Sequence, residues 1–118
     1  MFINAIGSVS PQKTFDNEEF FESVVSHDGT SLYCIEPEYK TLINPRKLRR
    51  MSRLIRMGMY AAKVCLAEAK VEMPDAILVG TGLGCMEDTE GFLEEIHDSK
   101  EGLIAPTQFI QSTHNTVS

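Results

Sequence analysis

Ala76-Ile77-Leu78-Val79 is a short, unbroken apolar run bounded by Asp75 and Gly80, and it passes directly into Gly80-Thr81-Gly82-Leu83-Gly84-Cys85. A run of this length, closed by turn residues, reads as a strand buried on both faces. Beyond the glycines, Met86 to Asp98 reads as a helix. Phe92, Leu93 and Ile96 form its apolar side, and Glu87 and Asp88 stand in its first turn, where acids suit the helix dipole. Strands buried on both faces belong to parallel sheets covered by helices, so this one unit points to the α/β class.

Other segments extend the same alternation. Phe2 to Val9 alternates loosely and reads as a strand, and Ser31 to Ile35 reads as a shorter one that Pro37 ends. Between them, Ser10 to Thr30 is polar and acidic, a loop anchored by Phe15, Phe20 and Phe21. Asn44-Pro45 is a helix start, an N-cap side chain followed by proline at the first helical position. From there Leu48, Met51, Ile55, Met59, Ala62, Leu66 and Ala69 recur on one face, with Gly58 and Cys65 in the same stripe. The spacing predicts one long amphipathic helix ending near Lys70. Pro106-Thr107 opens a further segment through Phe109 and Ile110. Three strands are few for a parallel sheet, and no helix stop precedes Ser118. The expectation is that residues 1–118 are one segment of a larger α/β protein.

Composition narrows the setting. The fractions of apolar and charged residues, 42% and 24%, are those of a folded globular domain. No apolar run approaches the roughly 20 residues that cross a bilayer, and the opening residues lack the basic start of a secretory signal. Cys34, Cys65 and Cys85 have no metal-ligand spacing and leave one over in any disulfide scheme, which points to a reducing cytoplasm and no metal. Charge is unevenly placed. Six of the eleven basic residues lie between Arg46 and Arg56, which leaves five basic against seventeen acidic residues elsewhere. The net charge of −6 argues against a general nucleic-acid binder, yet the chain carries a cationic strip on an anionic body.

Three features could carry chemistry. Gly80, Gly82 and Gly84 could aim backbone N–H groups at a phosphate, or serve as a tight turn that lets backbones approach. Their spacing fits neither the dinucleotide fingerprint nor the P-loop. Cys85 opens a helix, where the dipole favours a thiolate nucleophile, although a buried structural cysteine fits the same position. His97 lies twelve residues along that helix, about 18 Å away, and cannot be its base. His114 could reach Cys85 only through the fold. Arginines in a first helical turn oppose the dipole. Such a strip therefore suggests an anionic partner, or else a solvated face paired with the acidic loops.

In order, these segments resemble the N-terminal part of the β-ketoacyl-acyl-carrier-protein synthases. The likeness rests on the strand ending Ala5-Ile6-Gly7 and on Arg46-Lys47-Leu48-Arg49-Arg50-Met51-Ser52-Arg53. It continues through Ala61-Ala62 with Cys65-Leu66-Ala67-Glu68-Ala69, Val79-Gly80-Thr81-Gly82-Leu83-Gly84, and Pro106 through Asn115. The resemblance implies the N-terminal part of a thiolase-like α/β fold, incomplete in this span, and an acyltransferase of fatty-acid or polyketide-type synthesis. Such synthases load an acyl chain onto a cysteine and join it to a malonyl unit by decarboxylative Claisen condensation. They act as homodimers, or as heterodimers with a related subunit.

The family's nucleophile and histidine pair match positions beyond Asn115, so the resemblance places no catalytic residue here and gives neither Cys85 nor His114 that role. It assigns Arg46, Arg49 and Arg50 to docking of the acidic acyl carrier protein. Phosphopantetheine arrives on that carrier, and no cofactor is held tightly. Thr107, Gln108, Phe109 and Ile110 match residues lining the acyl pocket near the dimer interface, where Gln108 and Gln111 depart from the aromatic pattern. The wording of 106–115 is closest to diverged synthase-like proteins linked to aryl-polyene and flexirubin-type pigments. Some of these lack the catalytic cysteine. The alternatives are therefore a non-catalytic chain-length-factor-like partner subunit and a module that binds anions or nucleic acid through the arginines.

Overall fold

The computed structural model describes residues 2–15, 22, 24–99 and 106–113. Four α-helices are seen among them: α1 (Pro45–Leu48), α2 (Arg53–Ala69), α3 (Met86–Ser99) and α4 (Pro106–Ser112). A 3-10 turn, Tyr39–Thr41, precedes α1. Phe20, Phe21 and His114 lie outside the described residues, as does the side chain of Gln108.

The helix start at Asn44 forms as expected, with the Asn44 side chain accepting from the Arg46 N–H at 2.9 Å and Pro45 behind it. The single long helix does not form. α1 stops after Leu48, and a new helix begins at Ser52, whose extended backbone (ψ 165°) breaks the path. Its Oγ accepts from the Ile55 N–H at 3.4 Å. A serine hydroxyl that satisfies an orphan N–H offers the chain a fresh helix start, and the apolar stripe continues across the break without revealing it. The far end falls where the spacing put it. Lys70 adopts a left-handed conformation (φ 56°), its N–H meets Ala67 O at 3.1 Å, and Val71 N–H meets Leu66 O at 3.0 Å.

The three expected strands are irregular backbone, and no strand occurs among the described residues. The 2–9 and 31–35 segments meet near one backbone bond, Ile35 N–H to Ser10 O at 2.9 Å. The 76–79 run is the clearest correction. Instead of being buried on both faces, Ile77 is 72% and Leu78 97% exposed. A buried strand requires hydrogen-bonded neighbours on both edges and helices on both faces, and among the described residues this run makes no backbone hydrogen bond to another segment.

What packing there is gathers on α2. Tyr60 is buried and meets Phe15 and Tyr39 edge-on, with ring centroids 6.5 and 5.8 Å away. Pro37, Ile43 and Cys85 are also buried. Gly7 lies so close to α2 that a Cβ there would collide with the Ala61 carbonyl oxygen and stand 3.2 Å from the Cys65 Cβ. Side chains tie the acidic loop. Gln12 exchanges hydrogen bonds with Val25 at 2.9 and 2.8 Å, and the buried Thr14 hydroxyl meets Ser10 Oγ at 3.1 Å. α4 packs on α3 through Phe92 and Phe109, 5.6 Å apart, and through Thr89 Oγ1 donating to Ser112 O at 3.2 Å. The exposed surface totals 9701 Å², against about 6,400 Å² for a folded monomer of this mass. Phe2, Ile3, Leu32 and Tyr33 contribute to that excess as exposed apolar side chains.

Candidate partner-binding site

The break between α1 and α2 decides how the basic strip is presented. As a continuous helix, its arginines would share one face. The break instead divides them by environment. Arg53 donates from Nε to Glu36 Oε1 at 2.6 Å, and Arg56 donates from Nε to the Met51 carbonyl at 2.9 Å. Arg46, Lys47, Arg49 and Arg50 are exposed, and their side chains have no partner among the described residues. Two arginines therefore build the fold, and the other three stand toward solvent.

A short relay fixes the ground beneath them. The Tyr39 hydroxyl donates to Glu36 Oε2 at 2.9 Å while Glu36 accepts from Arg53 on its other oxygen. The guanidinium holds the Glu36 carboxyl below the usual carboxylate range. Burial, then the bond to Glu36, pushes the Tyr39 phenol above its ordinary value, and Glu36 raises Arg53 in turn. None of this was legible beforehand, because a pair separated by seventeen residues leaves no periodic mark. Between Tyr39 and α1 lies a cleft of about 310 Å³, with Lys40, Arg49 and Arg56 on its walls.

Cys85 is 4% exposed, with its Sγ 3.9 Å from Ser52 Oγ. Its carbonyl accepts from both the N–H and the hydroxyl of Thr89, at 2.9 and 3.0 Å. His97 is exposed, far along α3. A thiol sealed against a serine, with no base beside it among the described residues, fits a structural role. Of the three glycines, only Gly84 needs its residue type. It has φ 63°, and its N–H is held by Thr81 Oγ1 at 2.9 Å, whereas a Cβ on Gly80 or Gly82 would meet nothing within 4 Å.

Of the expected acyl-pocket residues, Phe109 and Ile110 are each more than half exposed, and Thr107 is exposed. Phe109 packs on Phe92. The contact that sequence reading missed is next to them. The Gln111 side-chain amide donates to the backbone carbonyl of Arg50, which joins α4 to the basic segment. Among the described residues no group of acids, histidines and cysteines is arranged to hold a metal, and no helix is long and apolar enough to cross a membrane. Comparison with family models, curated proteins and solved structures finds no match.

Proposed function

We propose that this chain is the carrier-protein-docking portion of a β-ketoacyl-acyl-carrier-protein synthase, the N-terminal part of a thiolase-like α/β unit acting in the cytoplasm. The observation that carries the reading is the division of labour among the arginines. Arg46, Arg49 and Arg50 remain exposed without partners among the described residues while Arg53 and Arg56 are committed to the fold. Guanidinium groups left open on an otherwise acidic chain suit an acidic protein partner, which they grip by charge-assisted, bidentate contacts. In this reading the phosphopantetheine arrives on the carrier, and the condensing cysteine and its histidines lie outside this span. The burial of Cys85 supports that division.

The alternative, a non-catalytic chain-length-factor-like partner subunit, shares the docking strip and differs in having no condensing cysteine. An acyl adduct on the native gene product after incubation with acyl-carrier thioester selects the synthase, and its absence selects the partner subunit. Docking itself is tested by titrating labelled acyl carrier protein at low salt against the chain and against Arg46→Glu with Arg50→Glu.

A further inference from the structure

We infer that the cleft between the Tyr39–Thr41 turn and α1 binds the phosphate group of a phosphoester that bears a short apolar stem. Its volume, about 310 Å³, is at the lower end of small-ligand pockets. Its walls are of two kinds. Lys40, Arg49 and Arg56 bring three positive charges against the one acid, Glu38, and Pro45, Leu48 and the Tyr39 ring supply apolar surface. A net excess of two positive charges matches a phosphomonoester dianion better than a carboxylate. Two guanidinium forks with an ammonium also suit the oxygens of a phosphate.

The site is prebuilt in part. Arg56 is pinned through Nε to the Met51 carbonyl, 2.9 Å away, which fixes the plane of its guanidinium and leaves the Nη groups for a ligand. Tyr39 is held at both ends, its hydroxyl on Glu36 and its ring edge-on to Tyr60. Lys40 and Arg49 are exposed and without side-chain partners among the described residues. Among the described residues no side-chain bond of Lys40 or Arg49 has to be broken for an anion to enter between them. The cleft shares Arg49 with the carrier-docking set and borders the same basic strip, whereas Lys40 lies outside both, so Lys40→Glu separates phosphate binding from docking by Arg46 and Arg50.

Titration of the isotope-labelled chain with butyl phosphate, followed by amide chemical shifts, tests it. The expected result is saturable shifts confined to residues 38–40 and 45–49, absent with 1-butanol. Lys40→Glu, a change at an exposed position that leaves the fold intact, should weaken binding by roughly tenfold or more. Two further arms locate the phosphate. Tighter binding of phosphopantetheinylated carrier protein than of the unmodified form, lost in Lys40→Glu, assigns the site to a carrier-borne phosphate. Equal binding of the two forms, with butyl phosphate still saturating, assigns it to a free phosphomonoester. Shifts that do not saturate, or that survive Lys40→Glu unchanged, overturn the inference.

Discussion

The side-chain amide of Gln111 donates to the backbone carbonyl of Arg50, sixty-one residues earlier, and so anchors α4 to the gap between α1 and α2. That carbonyl sits where two helices part, and the glutamine serves it in place of a next helical turn. Replacing Gln111 with Ala should destabilise this junction by about 1 kcal/mol. Amide exchange should then accelerate across Pro106–Ser112 while the middle of α2 keeps its protection.

Glycine positions divide sharply. Gly7→Ala forces a methyl against the Ala61 carbonyl and should cost about 1–3 kcal/mol, seen as a lower urea midpoint. Gly84→Ala places a side chain in the left-handed region and should cost about 1–2 kcal/mol. Gly82→Ala, in open space, should be near neutral.

The Arg53–Glu36 pair makes a pH prediction. The carboxyl is depressed in the folded chain, so its stabilisation is present above its ordinary value of 4.5 and is lost as pH falls through the lower folded value. The pair is partly exposed, and its contribution is a few tenths of a kcal/mol up to about 1. Thermal melts should show stability falling below pH 4.5 in the native chain, with a shallower fall in Arg53→Gln.

Cys85 should be the slowest of the three thiols toward iodoacetamide under native conditions, since it is buried while Cys34 and Cys65 are partly exposed. Incubation with acyl-carrier thioester should leave the 13.2 kDa chain without an adduct. Peptide mapping by mass spectrometry reads both. Rapid, selective modification of Cys85 would restore it as a nucleophile.

Local signals were legible and pairings were not. Asn44-Pro45 announced a helix because both residues act within one turn of themselves, and Met86 to Asp98 announced α3 by its own periodicity. The end of α2 at Lys70 was legible for the same reason. Ser52 concealed its break, since a cap needs only one hydroxyl and the apolar stripe stayed in phase around it. The run 76–79 misled because its apolar character says that it seeks burial, not that a partner stands beside it. At the candidate site the arginines could be named from the sequence. Which of them were already spoken for depended on Glu36 and Met51, contacts that only the folded chain brings into reach.

The proposed carrier docking depends on the open arginines, and a charge-swap cycle tests them directly. Arg50→Glu should weaken binding of acyl carrier protein at low salt by roughly tenfold or more, and an acid-to-arginine change on the carrier's recognition helix should recover much of that loss. Affinity unchanged by Arg46→Glu with Arg50→Glu, or a loss that no carrier reversal recovers, would contradict the docking of a carrier protein on this strip.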